Sequence, residues 1–204
     1  MTIAIVNYGV GNLGSILNIM RKIGFESYVC DSPDDIDKAD KLILPGVGAF
    51  DSGMEQLNRS GFVPVLNDMV LIQKRPVLGI CLGMQIMTSG SQEGALPGLN
   101  WIHGSTQKFS FDVEAKLRVP HMGWNSVYVQ KESSLFEPND PENRFYFVHS
   151  YHVVCNDEND IVTTTPYGIN FTSSFHKDNI YGVQFHPEKS HRFGFQLLKK
   201  FAEL

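Results

Sequence analysis

Two short segments, far apart in the chain, carry residue types suited to covalent chemistry at a carbonyl: Gly79-Ile80-Cys81-Leu82-Gly83 and His186-Pro187-Glu188. Cys81 follows the apolar run Pro76-Val77-Leu78-Gly79-Ile80 and precedes a helix-like stretch from Leu82, so the thiol falls where a buried strand turns sharply into a helix. G-x-nucleophile-x-G is the pattern of a strained elbow, its glycines letting the turn close. His186 follows the strand-like run Ile180–Phe185. In extended geometry residues i and i+2 point the same way, so Glu188 can hydrogen-bond the far side of the imidazole. Nucleophile, base and orienter are the parts of a triad.

The elements that must position these groups are readable in outline. The first half alternates strand and helix: Ile3–Asn7, a helix from Asn12 to Lys22, Ser27–Cys30, Lys41–Leu44, helical stretches at Ala49–Asn58 and Val63–Gln73, Val77–Ile80, then a helix from Leu82. This alternation predicts an α/β fold with an open, mostly parallel sheet and crossover helices. The second half is mostly strands between turns: Gln107–Phe111, Ser126–Gln130, Arg144–Val148, His152–Cys155, Ile161–Thr164, Phe171–His176 and Ile180–Phe185. It predicts an antiparallel extension. A final helix, Ser190–Glu203, carries Phe193, Leu197, Leu198 and Phe201 at helical spacing, a core-facing stripe.

Composition narrows the class of protein. At 204 residues and 42% hydrophobic content, with no linker-like stretch, one domain over 1–204 is expected. Seventeen Lys+Arg against 22 Asp+Glu, a formal charge of -5, argues against a nucleic-acid partner. The segment Met1-Thr2-Ile3-Ala4-Ile5-Val6 lacks a charged n-region and a cleavage site, and no apolar run approaches the ~18 residues of a membrane span, so a soluble, cytoplasmic protein is expected. Cys30, Cys81 and Cys155 lack C-x-x-C spacing, which supports neither a disulfide framework nor zinc. Cys30 and Cys155 read as buried small residues. His103, His152, His176 and His191 show no metal-ligand spacing, and no metal or cofactor is expected.

One motif competes. Gly9-Val10-Gly11-Asn12-Leu13-Gly14 follows the first strand, opens a helix and is trailed by Asp31, which on pattern alone satisfies a dinucleotide-binding fingerprint. A glycine-rich turn is equally what any tight strand-to-helix connection needs.

Taken together, Cys81-Leu82-Gly83-Met84-Gln85, His186-Pro187-Glu188-Lys189-Ser190 and Pro45-Gly46-Val47-Gly48 resemble a class I (triad-type) glutamine amidotransferase. Pro120-His121-Met122-Gly123-Trp124-Asn125 and Tyr146-Phe147-Val148-His149-Ser150-Tyr151 are similar to the glutaminase subunits of imidazole glycerol phosphate synthases within that family. The resemblance runs from Asn7 to the C-terminal helix. It implies a flavodoxin-like fold and hydrolysis of glutamine to glutamate and ammonia by Cys81, His186 and Glu188. The oxyanion would be held by the N–H of Leu82 and by a donor from Val47-Gly48. The substrate would be bound by Gln85, Glu93 and backbone groups of His149, Ser150 and Tyr151. It further implies a heterodimer with a (β/α)₈-barrel cyclase that uses the ammonia in histidine biosynthesis, docked on Asn12, Lys189 and an exposed loop bearing His121 and Trp124.

Past Ser190 the chain continues His191-Arg192-Phe193, where the histidine-pathway subunits carry small or polar residues. A paralogous subunit feeding ammonia to sugar amidination in surface-polysaccharide synthesis is the alternative. Two readings of other classes are a non-catalytic assembly module, against which the intact triad argues, and the dinucleotide-binding protein of the glycine motif. A γ-glutamyl hydrolase would share the elbow but need no tryptophan-bearing docking loop.

Overall fold

The apolar runs of the first half become strands because each sends alternate side chains into two covered faces. A computed structural model, in which residues 1–111, 116–138, 140 and 143–204 are described, begins with β1 (Thr2–Val6), α1 (Leu13–Lys22), β2 (Glu26–Cys30), β3 (Lys41–Gly46), α2 (Phe50–Arg59), α3 (Phe62–Asn67), β4 (Val77–Cys81) and α4 (Leu82–Ile86). There follow β5 (Gly104–Lys108), β6 (His121–Ser126), β7 (Tyr128–Val129), β8 (Arg144–His149), β9 (Tyr151–Cys155), β10 (Ile161–Tyr167), β11 (Ile169–Lys177), β12 (Ile180–Val183) and α5 (His191–Glu203).

The main sheet has the order β2-β1-β3-β4-β12-β11-β10-β7. Its first five strands are parallel, and antiparallel pairing begins at β12–β11. The expected parallel sheet with an antiparallel extension is therefore present. Strand periodicity sorts the core: Ala4, Val6, Leu42 and Leu44 pack with Phe50, Leu57 and Phe62 on one face. Ile3, Ile5, Ile43, Leu78 and Ile80 pack with Ile16, Met20, Leu197, Leu198 and Phe201 on the other. Buried Lys41, at the start of β3, donates to the carbonyls of Phe201 (3.1 Å) and Ala202 (2.5 Å), satisfying acceptors that the end of α5 leaves free. Among the described residues no helix is long and apolar enough to cross a membrane.

The differences from expectation lie where pairing rather than local composition decides. The Pro-His-Met-Gly-Trp run, expected as a loop, is strand β6, paired residue for residue with β8 from His121↔His149 to Ser126↔Arg144. The strand expected at Gln107–Phe111 sits earlier, at Gly104–Lys108, where its partner is β9, and Phe109 leaves it to stack on Phe111. The strand expected over Ser126–Gln130 is only Tyr128–Val129. The helix expected over Val63–Gln73 is α3 followed by a wider turn at Asp68–Ile72.

Candidate active site

The elbow is built at the end of the central strand. Cys81 has φ +55° and ψ -110°, a conformation that a side chain rarely adopts and that aims it away from the path of β4. The turn closes because residue 83 is glycine: a Cβ there would lie 1.8 Å from the Leu44 carbonyl oxygen. Pairing of β3 with β4 puts Gly46 beside Cys81, so Val47 and Gly48 follow directly at the elbow. Gly48 has φ +101°, a value glycine alone adopts freely. Cys81 opens into a cleft of about 510 Å³, one part of its wall supplied by Val47, Gly48, Leu82, Gln85, Glu93, His186 and Lys189, and the other by Pro120 and the residues 148–151 where β8 gives way to β9. All five residues expected to bind substrate, and the three expected around the oxyanion, line this one cleft.

His186 reaches the elbow through β12, whose last pair is Val183↔Ile80, one residue before Cys81. The loop that follows is pinned. His186 N–H donates to the Tyr146 carbonyl (2.9 Å). Buried Ser190 donates from Oγ to the His186 carbonyl (2.7 Å) and accepts from Tyr146 N–H (3.0 Å). His186 Nδ1 donates to Glu188 Oε1 at 2.8 Å, both side chains being 2% exposed. That bond leaves Nε2 as the atom available for proton transfer, and Nε2 has no hydrogen-bond partner of normal geometry. Burial alone would lower the imidazole's pKa, but interaction with the Cys81 sulfur and then with Glu188 reverses this and holds it well above the usual histidine value. A positively charged imidazole beside a cysteine is the arrangement that favours a nucleophilic sulfur.

A second group of histidines is centred on His149, in the other part of the wall. His149 Nδ1 lies 2.8 Å from the Tyr151 carbonyl oxygen, which can only accept, so Nδ1 carries the proton and Nε2 is an acceptor. His121 Nδ1, 2.9 Å from that Nε2, must then donate, and His121 Nε2 accepts from Asn125 Nδ2 at 3.2 Å. The chain of bonds fixes both tautomers as neutral. His121, expected on an exposed docking loop, is in fact 3% exposed inside strand β6, where it stacks at 4.1 Å on Tyr167. Alternation along β6 turns its neighbours Met122 (61% exposed) and Trp124 (45%) outward instead. Trp124 stacks flat on His191 with ring centroids 5.7 Å apart, Lys189 lies over the Tyr146 ring at 5.9 Å, and Asn12 is exposed ahead of α1.

Gln85 Nε2 donates to the Tyr151 carbonyl and to Gln184 Oε1, both at 3.0 Å, which leaves its oxygen as the polar atom it can offer a ligand. That oxygen suits an ammonium. Glu93 accepts from Phe50 N–H through Oε2 at 2.8 Å and brings a second acceptor to the same wall. Gln184, which the sequence reading passed over, lies 3.7 Å from the Cys81 sulfur. Its signal was its place two residues before His186, on the same side of an extended segment.

The glycine motif after β1 has a packing role. Gly11 has φ +105°, and a Cβ there would lie 3.1 Å from the Pro45 side chain. Asp31 accepts from Asn7 Nδ2 at 2.6 Å. The turn thus backs the Pro45–Gly48 segment. Among the described residues no group of three or more His, Cys, Asp or Glu could hold a metal ion.

A family model described as "Glutamine amidotransferase class-I" matches residues 4–203. The chain is 52% identical over 201 residues to imidazole glycerol phosphate synthase subunit HisH 2 of Methanococcus maripaludis, covering 98% of each protein. It is 49% identical over 202 residues to the subunit HisH 2 of Pseudomonas aeruginosa, covering 99% of each. The solved structure of PurLQS from Thermotoga maritima shares the fold, with a TM-score of 0.75 at 17% identity over 99% of this chain and 97% of that one. By these matches the chain belongs to the class I glutamine amidotransferases and, within them, to the HisH subunits of imidazole glycerol phosphate synthase.

Proposed function

We propose that the protein hydrolyses glutamine to glutamate and ammonia in the Cys81 cleft and passes the ammonia to a (β/α)₈ cyclase subunit. That partner makes imidazole glycerol phosphate and AICAR in histidine biosynthesis. The observation that carries the reading is the Nδ1–Oε1 bond of 2.8 Å between His186 and Glu188, buried beside a cysteine held in a left-handed elbow. The Cys81 thiolate adds to the side-chain carbonyl of glutamine, with the N–H groups of Leu82 and of the Val47–Gly48 segment stabilising the oxyanion. One such donor is worth about 3–4 kcal/mol. His186 protonates the departing ammonia, leaving a thioester, then takes a proton from water, which cleaves the thioester and returns the thiolate.

The α-ammonium fits against Gln85 Oε1 and Glu93, and the backbone of His149, Ser150 and Tyr151 meets the α-carboxylate. Free ammonia would be protonated in water and lose its nucleophilicity, so the cleft mouth requires a cover. The exposed Trp124, with Lys189 at the cleft and Asn12 ahead of α1, is the surface assigned to the barrel partner, and Met122 takes the place expected of His121. Val47, 44% exposed before flexible Gly48, offers a peptide that can turn, so docking of a nucleotide-loaded partner can switch the oxyanion donor on.

Cys81→Ala tests this reading. Glutaminase activity should vanish while the variant folds and binds the cyclase as before; a residual rate above about a tenth of wild type refutes it. A second acceptor is favoured by His191-Arg192 after the triad. In that reading the ammonia serves sugar amidination in surface-polysaccharide synthesis. Stimulation of glutaminase by the histidine-pathway cyclase and its nucleotide ligand decides between the two acceptors.

A further inference from the structure

We propose that Gln184 belongs to the reaction centre: its side-chain amide donates a hydrogen bond to the Cys81 sulfur and holds it as the thiolate. This rests on Cys81 being the nucleophile. The orientation of the amide follows from one fixed point, the Tyr151 carbonyl oxygen, which can only accept. Gln85 lies 3.0 Å from that oxygen, so the Gln85 atom there is its nitrogen. The same nitrogen lies 3.0 Å from Gln184, so the Gln184 atom facing it is the oxygen. The other arm of Gln184, 3.7 Å from sulfur, is therefore its NH₂ group, and a donor meets the thiol. His149 Nδ1 donates to the same carbonyl and anchors it further.

Gln184 is completely buried and Gln85 is 5% exposed, so neither amide has water as an alternative partner. The position is set by the sheet: Val183, the last residue of β12, pairs with Ile80, and the residues that follow them are Gln184 and Cys81. The donor acts twice in the cycle. It favours the anion that attacks glutamine's carbonyl carbon, and it stabilises the same anion when the thioester C–S bond breaks after water, having given its proton to His186, has added. The ionisable groups around the sulfur are His186 with Glu188 behind it, and Tyr8 from the loop after β1. His149, Glu93 and Lys189 line the rest of the cleft. The hydrogen-bond partners shown for the Gln184 side chain are Gln85 and Cys81, none of these ionisable groups.

The test is the pH dependence of Cys81 alkylation by iodoacetamide, read on the Cys81 peptide by mass spectrometry, for wild type, Gln184→Met and Gln184→Glu. Hydrogen bonds to charged groups are strong enough to move such a midpoint by about one pH unit or more. Gln184→Met should shift it upward by that much and slow alkylation about tenfold at pH 7, with kcat for glutamine falling by a similar factor and KM little changed. Gln184→Glu keeps the size and still accepts from Gln85, yet sets a carboxylate against the sulfur. It should shift the midpoint further upward, and it gives the same reading if the methionine variant does not fold. A wild-type midpoint in either folded variant overturns the assignment of Gln184. If alkylating Cys81 left wild-type glutaminase intact, the nucleophile assignment would fail instead, and a shifted midpoint in Gln184→Met would still show the hydrogen bond.

Discussion

The two walls of the cleft bury histidines in opposite charge states. On one, His186 has a carboxylate at Nδ1 and sulfur nearby, and its pKa is raised despite burial. On the other, burial lowers His121 to about 4, and lowers His149 to about 3 although the Tyr151 carbonyl pulls the other way. Burial is common to both, so partner chemistry decides: an anion stabilises the imidazolium, whereas a chain of imidazole and amide partners admits only the neutral ring. The protein thereby keeps a proton-carrying histidine close to histidines that stay uncharged and donate in one direction.

Glu188→Gln attacks that contrast most directly. An amide in place of the carboxylate removes the charge at Nδ1 and leaves only the Cys81 sulfur to oppose burial, so the pKa of His186 should fall toward that of the neutral pair. Members of a catalytic unit fail together, and a glutaminase loss of about a hundredfold or more is expected, with the midpoint of Cys81 alkylation moving up. A loss under about threefold would show that the carboxylate does not set the charge on His186.

Stability against pH separates the walls without mutation. His121, His149 and His152 have folded pKa values lowered, chiefly by burial, below the ~6.5 of the unfolded chain, so below that pH the unfolded state binds more protons than the folded one. Stability should fall as pH drops from about 6.5 toward 4, by on the order of a few kcal/mol in all. His186, raised, acts with the opposite sign: its contribution is complete below about 6.5 and is lost as pH climbs through its folded value. Urea midpoints between pH 4 and 9 should therefore peak near neutrality. Flat midpoints from pH 7 down to 4.5 would contradict neutral burial of the first group.

The two walls also differ in how much of them is readable from the chain. Cys81, His186 and Glu188 were legible because their geometry is local: glycines flank the elbow, and a two-residue spacing sets base and orienter. The parallel half of the sheet was legible for a similar reason, each strand being an apolar run closed by a turn. The neutral wall was not. Proline and glycine around His121 and Met122 suggest a loop, and only β8, more than twenty residues later, makes the segment a strand and turns His121 inward. The hydrogen bond from Gln184 to sulfur depends on register between β12 and β4; its spacing of two from His186 is a local hint of the side it faces but not of its partner.

His121→Phe probes the neutral wall with a smaller effect. A phenyl ring can keep the stacking on Tyr167 and Phe147 but gives no proton to His149 Nε2, leaving a buried acceptor unpaired. The cost should be about 1–3 kcal/mol in urea unfolding at pH 7, with an unchanged denaturant slope and a shallower loss of stability in acid. Glutaminase should change far less than in Glu188→Gln. Equal losses of activity in the two variants would merge the walls into one functional unit.

The smallest effect on the isolated chain is expected where a histidine is paired outside the cleft. His191 stacks flat on Trp124, which is 45% exposed and rests its covered side on Tyr146 and Phe193 at the edge of the core. Trp124→Ala should lower unfolding free energy by about 1–2 kcal/mol, since it loses a half-buried ring and its contacts with His191, Tyr146 and Phe193. The same ring, once covered by a docked barrel, becomes a buried aromatic anchor, and such residues cost about 2 kcal/mol or more when truncated. Calorimetric titration of the variant with the cyclase should thus show affinity weakened by ten- to thirtyfold or more, while the cyclase's reaction with added ammonium salt is unchanged. A variant destabilised by several kcal/mol yet binding with wild-type affinity would make Trp124 a core residue and move the docking face elsewhere.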